Sequence, residues 1–387
     1  MDTLGLARLQ FAVTTSFHFL FVLLTLGLVT LVAVMQTRAT LSANPVHARM
    51  TRFWGRLYVV NYALGIATGI VMEFQFGLNW SGLSHYAGDV FGAPLAVETL
   101  VAFFLESTFL GLWIFGWDRL NRWAHLALIW LVTLTAYASA LWIMTANAFL
   151  QHPVGHEERD GVLRLVDFSA LLSNPLFGMA VVHVVFAALT VGGVFVTGVS
   201  AFHFIRRTTE VEFFRRSLRL GVVVTALATP LVVGVGFAQF PIIGEFQPDK
   251  SEAAGAAGGA GLGFMILIGF LLLLASWITV PLLFRDWIVK LRFPLYLMVI
   301  GIPLPFIAAI GGWLFRELGR QPWLVYGLLR TEDAMSHATR DGMLFSFIAF
   351  TAVFAVLAVA DWVLIARLAK RGPVEASVPV SPLVPAL

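Results

Sequence analysis

The sequence predicts an all-α integral membrane protein, a polytopic bundle of about nine transmembrane helices. Three observations predict it. Charged residues make up 12% of the 387 positions and apolar residues 59%, against about 25% and 45–50% in an average soluble domain. The remaining charges are grouped between apolar runs long enough to cross a bilayer, which takes about 20 residues. Lys and Arg are also divided unevenly between alternate loops. The same figures exclude a disordered chain, a coiled coil and a nucleic-acid partner. The pI is 9.4, but a net charge of +3 leaves too few cations for a basic face.

The apolar runs cover residues 11–37, 53–77, 94–117, 124–148, 177–205, 218–240, 262–284, 293–315 and 342–366. The first has no basic stretch before it and no small-residue cleavage site, so it reads as a retained span. No basic residue lies in the interior of a span. Loops 38–52, 118–123, 206–217 and 285–292, the segment from 367 and the adjoining span ends hold 17 of the 25 basic residues. The positive-inside rule places that set in the cytoplasm, with the N-terminus outside and the C-terminus cytoplasmic. Loop 241–261, PIIGEFQPDKSEAAGAAGGAG, is then extracytoplasmic, and its Gly/Ala half reads as a flexible linker. Residues 1–372 form one bundle that carries this loop, and 373–387 form a Pro-rich, disordered cytoplasmic tail. No internal repeat is visible, so the inverted-repeat signature of many transporters is missing.

A charge at a helix centre costs roughly 2.5–3.5 kcal/mol on insertion scales, so each buried acid needs a reason. Four acids lie within spans: Glu73, Glu98, Glu106 and Asp361. Asp361 is near a cytoplasmic end and can snorkel. Glu73, in VMEFQFG, suits either a ligand site or an interfacial cap. Glu98 and Glu106 share one helix, AVETLVAFFLESTF. Their spacing puts them about 12 Å apart along an ideal α-helix and about 80° apart around it. They can face one groove without touching. Two protonated acids bonded to backbone would satisfy this pattern; a stepping-stone proton path explains it better, because a buried carboxyl can take up and release a proton.

The chain has no cysteine, which excludes disulfides, thiolate metal sites and iron–sulfur clusters. Any metal must be held by His, Met or carboxylate. Of nine histidines, only His18 and His183 lie well inside spans. Each is either a hydrogen-bonded core residue or a ligand. Met265 opens the seventh run at a depth comparable to His183, so the two can bind one metal from opposite faces. A His/Met pair makes a six-coordinate haem iron suited to electron transfer. His18 has no evident second axial partner, and a haem held by one residue keeps an open face.

Read together, these stretches resemble subunit I of the cytochrome bd-type quinol oxidases. The resemblance is carried by RLQFAVTTSFHFLFVLLTLGL (8–28), GIATGIVMEFQFGLNW (65–80) and FGAPLAVETLVAFFLESTFLGLWIFGWDRL (91–120). SALWIMTANAFLQ (139–151) and GIPLPFIAAIGGWLFRELGRQPW (301–323) complete it. It implies three haems near the outer surface: a low-spin haem b, a high-spin haem b and a haem d. His183 and Met265 match the axial ligands of the low-spin haem, and His18 and Glu317 match the single ligands of the two high-spin haems. Trp313, four residues before Glu317, matches the inter-haem aromatic. Glu98, Glu106 and Ser139 match the proton-delivery route. Arg8 and Arg320 are expected to pair with haem propionates. The implied reaction is oxidation of membrane quinol at the outer face and reduction of oxygen to water. Charge separation follows without pumping, in a bacterial cytoplasmic (inner) membrane. A second subunit, and often a single-helix third, are the implied partners.

Two departures from the family pattern stand out. The quinol-binding loop is short: Gln247, Pro248 and Lys250 match the start of its QPxK element, and Glu252 stands in for a glutamate expected further on. Gly263 replaces an arginine expected two positions before Met265. The oxygen-reducing end therefore reads as intact and the electron-donor end as altered. Other readings of the chain are a divergent haem-bearing paralogue with another donor or acceptor, and an ion-coupled transporter using Glu98 and Glu106. A haem-free structural subunit is disfavoured by His18, His183, Met265 and Glu317.

Overall fold

A computed structural model describes residues 2–42 and 44–373. The expected tail, 373–387, lies outside them except for its first residue. Among the described residues nine helices are long and apolar enough to cross a membrane. They are α1 (Thr3–Ser42), α2 (Pro45–Asn79), α3 (Ser81–Phe115), α4 (Arg122–Gln151) and α5 (Gly178–Ile205), followed by α6 (Val211–Phe246), α7 (Lys250–Leu282), α8 (Arg292–Leu318) and α9 (Arg340–Arg371). Each overlaps one predicted run. Local chemistry sets several starts. Asn44 accepts from Val46 N at 2.9 Å with Pro45 in the first turn, and Asn121 accepts from Trp123 N and Ala124 N. These caps satisfy N–H groups that a helix start leaves unpaired.

α1 is the central helix. It packs against α2, α4, α5 and α9, and Leu23, Leu24, Leu28, Val29 and Val32 are fully buried. Its crossing with α5 is made by two glycines. A Cβ on Gly27 would fall 2.9 Å from Gly192 Cα, and one on Gly192 would fall 2.8 Å from Gly27 Cα. Gly261 of α7 and Gly311 of α8 make a second such crossing, where a Cβ on Gly261 would lie 2.6 Å from the Gly311 carbonyl oxygen. Small residues let backbones approach where lipid supplies no hydrophobic drive between helices.

The two ends of the bundle differ in chemistry. The end that holds the N-terminus is capped by two hairpins, β1 (His156–Arg159) with β2 (Val162–Leu165) and β3 (Trp323–Val325) with β4 (Leu329–Arg330). Asp160 and Gly161 turn the first with φ of 53° and 74°, the geometry that an Asp-Gly pair favours. Leu163, Val325 and Leu329 pack with Leu6, Trp80, Phe91 and Phe149. The opposite end carries ion pairs: Arg49 with Glu210 at 2.5 Å, Arg216 with Glu212 at 2.5 Å, and Arg215 and Arg219 both with Asp286. These partly exposed pairs contribute at most about 1 kcal/mol each, but they tie three helix turns together.

Three expectations are corrected. α3 begins at Ser81, not near residue 94, because the polar and small residues of GLSHYAGDVFGAP form helix against the hairpin cap. Segment 241–261 is not a loop with a flexible half. α6 runs to Phe246 and α7 starts at Lys250, with one backbone break at Gly255, φ 58°. The Gly/Ala stretch is a close-packing face: Gly258 lies against Phe315 and Leu318, and Gly261 against Gly311. Asp361 does not snorkel. It is 1% exposed and neither carboxyl oxygen has a hydrogen-bond partner among the described residues.

Replacing Gly192 with Leu is expected to separate α1 from α5 and destabilise the bundle by at least about 1–3 kcal/mol. Thermal unfolding in detergent checks it, and Gly234→Leu on α6, a helical glycine with open space around it, serves as the control for glycine loss.

Candidate functional site

The sequence-predicted residues collect at the N-terminal end of the bundle, in four groups. His18 on α1 faces α2. Its Nδ1 lies 3.0 Å from Thr68 Oγ1, and Thr68 donates its only hydroxyl proton to Gly65 O at 2.7 Å. Thr68 must therefore accept from His18, so Nδ1 carries the ring proton and Nε2 presents a lone pair. This is the tautomer a metal-binding imidazole needs, fixed by a partner behind it. Gly69 leaves room for the ring: a Cβ there would sit 3.2 Å from His18 Cε1.

His183 of α5 and Met265 of α7 line one partly open cavity, together with residues of α6 and α8. Val232, Val233, Phe237, Phe240 and Leu272 make its wall apolar. Glycines seat both candidate ligands. A Cβ on Gly236 would fall 3.0 Å from His183 Cε1, and one on Gly312 would collide with the Met265 sulfur. His183 Nδ1 is buried with no hydrogen-bond partner among the described residues.

Glu317 anchors the third group. Its Oε1 accepts from Asn147 Nδ2 at 2.9 Å and Gln151 Nε2 at 3.3 Å, and its Oε2 accepts from Arg320 at 2.8 Å. Asn147 and Gln151 are one turn apart on α4, so a single helix face supplies both donors. Arg316 donates to Asn147 Oδ1 at 2.7 Å. Beside them Lys250 is 3% exposed and donates to Gln151 Oε1, Gln247 Oε1 and Arg316 O at 2.8–3.0 Å. Three buried or largely buried cations, Lys250, Arg316 and Arg320, thus surround one carboxylate. Arg316 Nη2 and Arg320 Nε and Nη1 are buried with no hydrogen-bond partner among the described residues. Unpaired guanidinium N–H groups in an apolar setting fit a further anionic group such as a propionate.

The fourth group lies between α2, α3 and α4. Ser139 donates to Glu98 Oε1 at 2.5 Å, and Thr99 is within 3.2 Å of both Glu98 Oε2 and Glu73 Oε1. A wide i→i+5 turn from Glu98 to Phe103 separates Glu98 from Glu106. Such a turn inserts roughly one residue and rotates the succeeding helix back by about 100°. The two acids then fall within about 20° of one face, not 80° apart. Glu106 is 5% exposed and its Oε1 has no hydrogen-bond partner among the described residues.

Some predicted residues do not gather as expected. Arg8 is exposed on the first turns of α1. Gln247 is 1% exposed and bonds Gln151 O at 2.8 Å, so it and Lys250 are buried in the protein, while Glu252 is exposed. Trp313 meets Phe11 of α1 at a centroid distance of 6.3 Å, and Phe11 meets Phe76 of α2 at 6.0 Å. The sequence alone does not single out Thr68, Thr99, Asn147, Gln151 or Arg316. The available signals are the i,i+4 pair of amides at an apolar helix end and an arginine adjoining Glu317.

The sequence profile of the family described as cytochrome bd terminal oxidase subunit I matches residues 6–258 and 260–373. The break at Gly259 falls within the Gly/Ala stretch of α7. The chain is 38% identical to the cytochrome bd ubiquinol oxidase subunit 1 of Bacillus subtilis (strain 168), covering 96% of this chain and 94% of the relative. That alignment spans 444 positions, so the relative carries segments this chain lacks. It is 31% identical to the cytochrome bd-II ubiquinol oxidase subunit 1 of Escherichia coli (strain K12), covering 96% and 97%. Its fold is that of a chain of the bd oxidase from Geobacillus thermodenitrificans, with a TM-score of 0.89 at 24% identity, covering 96% of this chain and 99% of that one. An ion-coupled transporter is not compatible with these matches. With a profile match over nearly all its length and two relatives above 30% identity, the chain belongs to the cytochrome bd terminal oxidase subunit I family.

Proposed function

We propose that this chain is the haem-bearing subunit of a terminal oxidase that oxidises membrane quinol and reduces oxygen to water. The observation that carries the reading is the apolar cavity shared by His183 and Met265, a ligand pair on two helices in a chain without thiols. When bound, a low-spin haem b, a high-spin haem b and a haem d supply the electron storage and the oxygen-reducing chemistry. His183 and Met265 hold the first. His18, through its free Nε2, and Glu317, through carboxylate lone pairs its hydrogen bonds leave open, hold one high-spin haem each. Trp313 lies on the Glu317 face of α8 and orders the space between them. Arg320 and Arg316 offer their unpartnered N–H groups to propionates, and the exposed Arg8 serves the rim.

Glu98, Ser139 and Glu106 move protons toward the oxygen-reducing end. Glu98 is held by Ser139 and Thr99, and Glu106, on the same face, is the deeper station. With the N-terminus outside, protons consumed come from the cytoplasm and protons from quinol leave outside, so charge is separated without a pumping step. Gln247 and Lys250 brace the α6–α7 turn against α4 and α8, and Glu252 offers the exposed polar group beside it to quinol. A second subunit completes the enzyme in a bacterial cytoplasmic membrane, with a single-helix subunit as a further partner.

Gly263, where the family pattern has arginine, has open space where a side chain would start.

A reduced-minus-oxidised spectrum with haem extraction is expected to give b-type and chlorin haem, with quinol:oxygen turnover by the purified complex; absence of both haem types would defeat the oxidase reading. Met265→Leu is expected to remove the low-spin signal and spare the high-spin ones in the same spectrum. Gly263→Arg adds a cation beside the low-spin site, which favours the reduced form, so its midpoint potential should rise by on the order of tens of millivolts in a redox titration.

A further inference from the structure

Glu98 and Glu106 are about 12 Å apart along α3 even when they share a face, too far for direct proton transfer. Ser139 reaches Glu98 but has no hydrogen bond to Glu106. Two tyrosines of α2 stand beside the gap. Tyr58 and Tyr62 are one turn apart, with ring centroids 5.7 Å from each other. Tyr58 is fully buried and its hydroxyl has no hydrogen-bond partner among the described residues, the same condition as Glu106 Oε1. Tyr62 Oη lies 3.5 Å from the Oγ of Ser107, the residue after Glu106. Glu106 is the leading charged group acting on both phenols, and Glu98 acts on Tyr62 as well. Tyr62 is therefore the hydroxyl within electrostatic reach of both acids.

A phenol can donate and accept at once, so it can pass a proton between two carboxyls, which phenylalanine of the same shape cannot. Buried polar atoms also require partners, and a hydrogen bond shared by Tyr58 and Glu106, direct or through one water, provides them. We propose that Tyr58 and Tyr62 form a hydroxyl ladder between Glu106 and Glu98, the acid that Ser139 also meets. The step balances: each hydroxyl releases one proton as it accepts another, so it ends neutral and no electron moves. Neither tyrosine touches substrate, so both are positioning residues. The inference rests on the proton-route reading of Glu98 and Glu106.

The test uses the complete oxidase in liposomes, as wild type, Y58F/Y62F and E106Q. Proton uptake is followed after oxygen is mixed with the fully reduced enzyme. The infrared carboxyl band of Glu106 is assigned by its loss in E106Q. Y58F/Y62F is expected to slow proton uptake at least about tenfold, with haem spectra unchanged and the Glu106 band moved to higher wavenumber by loss of a hydrogen bond. Native uptake and an unmoved band in Y58F/Y62F, with slow uptake in E106Q, would overturn the ladder alone. Native uptake in E106Q would overturn the proton-route reading itself, and the ladder with it. Should the double variant fail to assemble, Y58F and Y62F are read singly by the same infrared band.

Discussion

Three cations, Lys250, Arg316 and Arg320, share one carboxylate, Glu317, inside an apolar bundle, and the N-terminal end is arranged around keeping them satisfied. A buried charge left unpaired costs several kcal/mol, so each donor must have an acceptor. Lys250 uses its three N–H groups on Gln151, Gln247 and the Arg316 carbonyl. Gln151 and Asn147 in turn serve Glu317. The result joins α4, the α6–α7 turn and the end of α8 into one polar knot. The guanidinium N–H groups left over point to where an anionic group belongs.

The same end of the molecule needs space as well as charge balance. Glycine supplies it beside three of the four proposed haem ligands. Gly69 adjoins His18, Gly236 adjoins His183 and Gly312 adjoins Met265. Elsewhere the glycine pairs 27/192 and 261/311 draw helices together. Both uses depend on the absent Cβ, but one brings backbones close and the other seats a side chain. The wide turn of α3 is a third backbone device. It re-aims Glu106 toward the face of Glu98 and toward the tyrosines of α2, which a straight α-helix would not do.

Much of the site was legible in the sequence because polar residues are conspicuous in apolar helices. His18, His183, Glu98, Glu106 and Met265 stand out by type and depth alone, and Glu317, Trp313 and Arg320 by motif. Gln247 and Lys250 were legible as polar residues but not as interior ones. Their burial depends on α7 starting at Lys250 and on α8 ending beside it, a long-range fact. The Gly/Ala stretch misled for the same reason: its small residues suit a flexible linker and a tight helix crossing equally well, and only the partner helix decides.

The sequence by itself determined the class of the protein. Hydrophobic length sets the helices, charge asymmetry sets the expected sidedness, and the missing cysteine narrows any metal site to His, Met and carboxylate. These are properties of single segments or of composition, so one chain suffices to read them. The tertiary structure decided which donors face which acceptors: the Nδ1–H tautomer of His18, the amide pair on Glu317, the shared cavity of His183 and Met265, and the phase of the two acids on α3. Each depends on how two helices cross or on a local change in helical winding. A few degrees of rotation or one inserted residue changes the partner, and no pattern within a single segment specifies that.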